Sequence, residues 1–450
     1  MIPSDSPLLT DLYQLTMLQT YLDAGMSGEA VFEFYVRRLP PTRGFLVACG
    51  LESVLDFLTA FHFSPDDIRQ LSQTGRFSGK LLDYLASCSF KGDVHALPEG
   101  TIFFADEPVL RITAPIPIAQ IVETRIINLL NFEVSVASKA ARCLLAARGL
   151  ASLVDFGLRR AHGAEAGMLA ARAACAMGFA GTSNVLAGVH YGLPVSGTMA
   201  HSYIEAVGDE EEAFLAFARS NRSNVTFLID TYDTLNGAHH AARAALTLAA
   251  EGIATSAVRL DSGDLLALSF GVRRILNDYG LAKVKILASG NLDEYGIDRL
   301  MAAGAPIDGF GIGTKLDTVE DAPYLECAYK LAQYAGRPTM KYSSGKQTMP
   351  GAKQVFRRFQ SGVMTGDTVA LADSTEEGVP LLEHVMKEGR RLSAPPSLAS
   401  IASRTKDQLR TLPLNLRGLA ETAPYPVAFD PGLRRLREAA QTLIDARRKL

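Results

Sequence analysis

From about residue 150 onward the chain repeats one hydropathy pattern. Short apolar runs break off into clusters of polar residues and glycine, and most then lead into a helical stretch. The segments are LASLVDFGLRR, GFAGTSNVL, LPVSGTMAHS, NVTFLIDTYDT, SAVRLDSGD, VKILASGNLDE and IDGFGIGTK. Their strand ends fall mostly about 25 to 30 residues apart, the spacing of a βα unit. A doubly wound open sheet is the competing architecture, but it usually carries a glycine fingerprint after its first strand, and none is found. The pattern therefore predicts an irregular, TIM-like α/β barrel. Its polar clusters stand at the carboxyl ends of the strands, where the βα loops converge.

The flanking regions read differently. In LLTDLYQLTMLQTYLDAG, Leu8, Leu12, Leu15, Leu18 and Leu22 recur at steps of three and four, which predicts one helical face with Tyr13 and Met17 off the stripe. GDVHALPEGTIFFADEPVLRITAP has the short β-rich runs and Gly/Pro punctuation of a small sheet. A long helix is predicted over IAQIVETRIINLLNFEVSVASKAARCLLAARG, ending at Arg148-Gly149. Beyond the repeat, LSAPPSLASIASR reads as a Pro/Ser-rich connector, and YPVAFDPGLRRLREAAQTLIDARRKL as a terminal helix with Pro431 near its start. The expected division is a smaller α/β domain over 1–115, the barrel with the site over 116–345, and a C-terminal extension over 346–450 packing back on the first domain.

Composition narrows the function classes. With 450 residues the chain can bury more than one core. A net charge of -3 argues against a general nucleic-acid or anionic-membrane binder. The local basic clusters RRLPPTR and DFGLRRAHG suit an anionic small molecule better than a duplex. The five cysteines form no CxxC pair, the start has no signal-peptide form, and no apolar stretch has transmembrane length, so a cytoplasmic protein is expected.

Several strand ends carry candidate chemistry, each with a plainer reading beside it. Gly309, Gly311, Gly313 and Thr314 in IDGFGIGTK, with Ser289 and Gly290 one strand earlier, suit a phosphate cradle, although glycine in a barrel strand often serves packing alone. Arg259 and Asp261 share one side of a strand end, fit for an anion beside a ribose hydroxyl or Mg²⁺, or for a structural ion pair. Asp230 and Asp233 repeat that theme, and each is also a candidate helix cap. Phe156 could stack on a flat ligand while Arg159 or Arg160 grips its charge, or the ring could be core and the arginines solvated. His201 has no neighbours at zinc spacing, and Ser202 lies directly beside it with no GxSxG elbow. It is thus either a surface or packing residue, or a nucleophilic or phosphate-contacting imidazole.

Taken in order, TDLYQLTM, DFGLRRAHG, GTSNVLAG, GTMAHS, DTYDTLNG, RLDSGDL, ASGNLDEY and GFGIGTKL strongly resemble nicotinate phosphoribosyltransferases, with echoes at GRPTMKYSSGK and YPVAFDPGLRRL. The resemblance implies transfer of phosphoribosyl from phosphoribosyl pyrophosphate to nicotinate, giving nicotinate mononucleotide and pyrophosphate in NAD salvage. It also implies coupling to ATP hydrolysis through a phosphohistidine at His201, and a homodimer with shared active sites. Tyr13 would stack on the pyridine from the neighbouring subunit, opposite Phe156. Arg159, Thr182, Ser183, Thr198 and Arg259 would contact substrate. Asp261 would serve the ribose or Mg²⁺, and Ser289, Gly290, Gly311, Gly313 and Thr314 the 5′-phosphate. Ser183 is neutral where the related nicotinamide-using enzymes carry aspartate, which points to the acid as substrate. Nicotinamide or quinolinate phosphoribosyltransferases and a catalytically silent nucleotide-binding barrel are the alternatives.

Overall fold

A computed structural model describes residues 6–343 and 347–448. Residues 344–346, within GRPTMKYSSGK, lie outside that description. The chain forms two compact units, one spanning Lys139–Pro323 and the other made of the segments before and after it.

The discontinuous unit is built on an antiparallel sheet. Its strand Glu29–Val36 pairs with Pro108–Pro115 on one side and with Cys327–Tyr334 on the other. Asp93–Ala96 pairs with both Pro108–Pro115 and Glu383–Lys387, so segments from both ends of the chain share one sheet. A four-stranded sheet adds Lys353–Gln360, Val363–Leu371, Val379–Pro380 and Val427–Phe429.

The expected boundary at residue 115 moves, because the helices that follow belong here as far as residue 138. Gln120 donates to Gln14 and to Glu123, and Gln14 donates to Glu123, in a buried network that ties these helices to Leu12–Asp23. The long helix is also split, into Ile116–Ile121 and Glu123–Ala146. Likewise residues from 324 onward join this unit through the pairing of Cys327–Tyr334.

Two other expectations change. In the helix Leu12–Asp23 the buried residues are Gln14, Leu15 and Leu18, while Leu12 is 48% exposed. The polar network takes the place that the leucine stripe assigned to Leu12. The Pro/Ser-rich connector is largely a helix, Leu398–Thr411, whose N-cap Ser397 accepts from the Ser400 N–H. Pro431 is the first residue of the terminal helix Pro431–Arg448, where its missing N–H costs nothing.

The continuous unit holds a six-stranded parallel sheet. Its strands are β1 (Ser152–Asp155), β2 (Gly181–Thr182), β3 (Val225–Leu228), β4 (Thr255–Leu260), β5 (Lys285–Ala288) and β6 (Gly309–Ile312). They run in the order β2-β1-β6-β5-β4-β3, the circular sequence of a barrel opened between β2 and β3. The seventh expected strand, LPVS, is reduced to a single parallel bridge from Val195 to Thr182. The helices are α1 (Ala164–Met177), α2 (Val185–Tyr191), α3 (His201–Val207), α4 (Glu210–Ser220), α5 (Thr234–Ala250), α6 (Leu265–Asp278), α7 (Glu294–Ala302) and α8 (Thr314–Asp317). Alanines dominate the buried faces of α1 and α5, so these helices can pack closely. At the start of this unit Lys139 pairs with Glu294 and Asp321, both at 2.7 Å, and Arg142 donates to Glu294. Among the described residues no helix is long and apolar enough to cross a membrane.

The discontinuous unit depends on one fully buried cation. Arg357 pairs with Asp367 at 2.5 Å and lies 3.9 Å from Glu107, and the Tyr425 hydroxyl donates to Asp367. Burial and the Asp367 charge hold Glu107 well above the usual carboxylate range, while Arg357 and the Phe104 N–H oppose that shift. Removing one partner of a buried ion pair costs about 3–5 kcal/mol. Arg357→Met should lower the unfolding free energy by about that amount in urea denaturation, since it leaves Asp367 buried without its cation.

Candidate functional site

Register brings the strand ends to one level. Asp155 pairs with Ile312, Ala288 with Leu260, and Leu228 with Arg259. The next residues, Phe156, Gly313, Ser289, Asp261 and Ile229–Asp230, therefore emerge side by side at the carboxyl end of the sheet. A cavity of about 440 Å³ reaches from there along the inner face of the strands, a size suited to a small organic ligand. Phe156, Thr198, Arg259 and Gly311 line it near the carboxyl ends, Ser152 and Lys285 near the strand starts.

The acids of the strand-end clusters divide into two sets. Asp233, Asp264 and Asp293 are helix N-caps, each accepting backbone N–H bonds from the first turn of α5, α6 or α7. Asp230 and Asp261 cap no helix among the described residues. Asp230 accepts from the Asp261 N–H at 2.9 Å and from the Ser262 hydroxyl at 2.6 Å through one oxygen. Its other oxygen is buried without a hydrogen-bond partner among the described residues, and lies 3.9 Å from His201 Nε2. Asp261 in turn accepts from the Ser289 hydroxyl.

His201 is the first residue of α3 and is partly exposed, with Nδ1 3.1 Å from the Thr231 hydroxyl. It thus both opens a helix and faces a buried carboxylate.

Arg259 supplies the cation. It donates to the Met199 carbonyl at 3.2 Å, its Nε is buried without a partner among the described residues, and its guanidinium lies 5.8 Å from the Phe156 ring centroid. Burial pulls its pKa down, Asp261 and Asp230 oppose that shift, and Arg159 adds to it. Arg159, itself exposed, is therefore close enough to repel Arg259. Two arginines that repel one another beside an aromatic face form an arrangement that an anionic flat ligand relieves.

Other expected site residues fall elsewhere. Thr182 is fully buried and donates to Asp155 at 2.6 Å, while the Ser183 N–H donates to the Asp155 carbonyl. Neither lines the cavity. Thr314 is exposed at the start of α8. The glycines have steric reasons of their own. A Cβ on Gly311 would lie 2.5 Å from the Phe156 ring, and one on Gly313 3.0 Å from the Phe156 carbonyl oxygen. Gly290 has φ +93°, and a Cβ there would come within 1.9 Å of the Asp261 carbonyl oxygen. The packing reading of these glycines thus has direct structural support, beside any contact with phosphate.

Tyr13 lies in the other unit, on the helix Leu12–Asp23, and is 46% exposed. Partial burial and the Glu123 and Asp11 carboxylates push its phenol up to about 12, so it is neutral at physiological pH. Of the two basic clusters, RRLPPTR also lies in that unit, where buried Arg43 donates to the Ser135 carbonyl.

Three family models match this chain in succession. They are the nicotinate phosphoribosyltransferase (NAPRTase) N-terminal domain over residues 8–131, the nicotinate phosphoribosyltransferase family over 151–359, and the nicotinate phosphoribosyltransferase C-terminal domain over 368–437. The chain belongs to the nicotinate phosphoribosyltransferase family. It is 48% identical over 423 residues to the nicotinate phosphoribosyltransferase pncB2 of Mycobacterium tuberculosis, covering 94% of this chain and 91% of the relative. The human nicotinic acid phosphoribosyltransferase structure superposes with a TM-score of 0.84 at 28% identity, covering 96% of this chain and 99% of that one. A structure of nicotinate-nucleotide pyrophosphorylase from Pyrococcus furiosus gives 0.73 at 26% identity, covering 91% and 96%.

Within this nicotinate phosphoribosyltransferase, sequence reasoning did not single out Thr231, whose hydroxyl lies 3.1 Å from His201 Nδ1. Thr231 stands beside Asp230 in DTYDT, so proximity to a candidate acid was its available signal. The Gly311 contact yields a direct test. Gly311→Ala should displace the Phe156 ring and lower kcat/KM by about tenfold, a change equivalent to about 1.4 kcal/mol, while the melting temperature changes little.

Proposed function

We propose that the chain transfers phosphoribosyl from phosphoribosyl pyrophosphate to nicotinate, releasing nicotinate mononucleotide and pyrophosphate. The observation that carries this reading is the pairing of Arg259 with the Phe156 face, with Arg159 close by. The ring offers a stacking surface to the pyridine, and the guanidinium groups attract its carboxylate. Thr198, beside them in the cavity wall, supplies a hydroxyl.

Displacement at the anomeric carbon passes through an oxocarbenium-like state, so the site's work is positioning and stabilisation of the leaving pyrophosphate. In this reading Asp261 serves the ribose hydroxyls or a magnesium ion. The donor set fits that ion, because Asp230 presents a buried oxygen without a hydrogen-bond partner among the described residues, and carboxylate oxygens are the ligands Mg²⁺ takes. Magnesium, when bound, neutralises pyrophosphate charge. Ser289, Gly290, Gly311, Gly313 and Thr314 line the strand ends proposed to receive the 5′-phosphate.

ATP enters through His201. An imidazole nitrogen attacks the γ-phosphorus, an N–P bond forms, the bond to the β-phosphate oxygen breaks, and ADP leaves. Water later takes the phosphoryl group as inorganic phosphate. The Thr231 contact occupies Nδ1, which leaves Nε2 as the accepting nitrogen. The added charge acts on bound pyrophosphate and magnesium rather than on the sugar.

A homodimer with shared sites belongs to the same reading. Tyr13 is 46% exposed and its ring would stack on a partner's pyridine, and Val185, Leu186 and Val189 are 65%, 64% and 79% exposed along α2, an apolar patch suited to a subunit contact. The five free cysteines suit the reducing cytoplasm.

Pyrophosphate release with nicotinate, nicotinamide or quinolinate, each with and without ATP, tests the assignment. Release should be fastest with nicotinate and should rise on adding ATP. Silence with nicotinate, or preference for either other acceptor, overturns it.

A further inference from the structure

Behind the loop that carries Phe156 and Arg159 lies a buried pair of acids. Asp155, the last residue of β1, is fully buried and accepts from the Gly157 N–H at 2.7 Å and from the Thr182 hydroxyl at 2.6 Å. Asp317, the last residue of α8, is also fully buried. Neither of its carboxyl oxygens receives a hydrogen bond from an N–H or hydroxyl group of the described residues.

Gly157 separates this carboxyl from the loop backbone. A Cβ there would lie 2.1 Å from Asp317 Cγ and 2.2 and 2.3 Å from its oxygens, so the carboxyl lies flat against the glycine. As an anion Asp317 would be a buried charge with no donor. Gly157 brings the two acids to one place, since its N–H donates to the Asp155 carboxylate while its Cα lies against the Asp317 carboxyl. As an acid Asp317 can donate to Asp155, and two carboxyl groups against one buried glycine do not both ionise.

The surroundings agree. Burial and then the Asp155 charge hold Asp317 well above the usual carboxylate range. Burial also raises Asp155, while its bonds to Thr182, Gly157 and Asp317 pull it back. Of the neighbouring elements, α1 carries Glu165, Arg172 and Cys175, whose thiol feels the Asp155 charge. Arg159 and Arg160 on the Leu158–Arg160 turn are exposed, and Lys315 on α8 is paired with Asp293. Among these groups only Asp155 contributes an electrostatic interaction to Asp317.

We propose that Asp155 and Asp317 share one proton and act as a positioning pair, the neutral Asp317 donating to the Asp155 carboxylate and so fixing the Phe156–Arg159 loop against the turn after β6. The same Asp155 carboxylate holds Thr182, and its carbonyl holds the Ser183 N–H, so two further expected substrate residues are set by this pair. The kinetic consequence rests on the substrate reading given above. The shared proton does not.

The sign of the pH effect follows from the raised folded-state pKa. Unfolded Asp317 ionises near about 4, whereas the folded acid keeps its proton. Its contribution to stability is complete below about pH 4 and is lost as pH rises towards the folded value. Asp317→Asn retains a donor for Asp155 and cannot titrate. The difference in melting temperature between this variant and the wild type should therefore drift steadily in the variant's favour as pH rises above about 4 towards the folded value. Melting curves that shift in parallel with pH overturn the shared proton.

Kinetics separate positioning from mere support. Asp317→Ala should raise the KM for nicotinate by about tenfold with a smaller change in kcat, and Asp317→Asn should restore the KM. An equal loss of kcat in both variants at unchanged KM overturns the positioning role. If Asp317→Ala fails to fold, the melting comparison with Asp317→Asn still decides the proton. Wild-type protein inactive on nicotinate counts against the function proposed above, and leaves the melting comparison to judge the pair on its own.

Discussion

The Asp230 carboxylate is 1% exposed and binds the ends of neighbouring strands into one surface. One oxygen takes the Asp261 amide and the Ser262 hydroxyl, which sets where β4 gives way to its loop. The other lies 3.9 Å from His201 Nε2, at the start of the helix that opens with that histidine. Hydrogen bonds to a charged group contribute about 1.5–3 kcal/mol each, so this carboxylate is both a structural tie and a local source of negative potential. The Ser289 contact to Asp261 carries the tie onward to β5. Because each of these residues follows its strand by one or two positions, parallel register turns a sequence rhythm into a constellation.

Opposite these acids stands an equally constrained cation. Arg259 cannot deprotonate, yet part of its guanidinium is buried without an acceptor among the described residues. A folded protein tolerates such a group where a ligand completes it, and the Phe156 ring beside it limits that ligand to something flat. The glycines after β5 and β6 are consistent with this crowding. They make room for the Asp261 backbone and the Phe156 loop before any phosphate need be considered. Preorganisation of this kind is what a displacement at an anomeric carbon requires, since the enzyme contributes orientation and charge rather than covalent attack on the sugar.

The sequence made the βα rhythm legible because buried parallel strands are continuous apolar runs that end abruptly in polar loops. Six of the expected strands form. LPVS fails to become a full strand because it meets only Thr182 across the open side of the barrel, and one bridge is not a ladder. Helix caps explain why counting acids was not enough. Asp233, Asp264 and Asp293 look in sequence just like Asp230 and Asp261, and only coordinates show which carboxylates the helices consume. Leu12 was misplaced because periodicity cannot anticipate a buried Gln14–Gln120–Glu123 network built from residues more than a hundred positions apart. Asp317 had no sequence signal at all. Its importance comes from burial and from lying against Gly157, which are tertiary facts.

Family membership rests on matches along most of the chain, and the geometry supplies a physical reason for the motifs that carry it. The central proposal is that His201 accepts phosphate from ATP through Nε2 while the Thr231 hydroxyl orients its imidazole through Nδ1. Incubating the protein with γ-labelled ATP, then mapping acid-labile label onto peptides in wild type and His201→Ala, tests it most directly. The account predicts label on the GTMAHS peptide that discharges when nicotinate and phosphoribosyl pyrophosphate are added, and no label in the variant. A variant that still acquires acid-labile phosphate and still responds to ATP would contradict it.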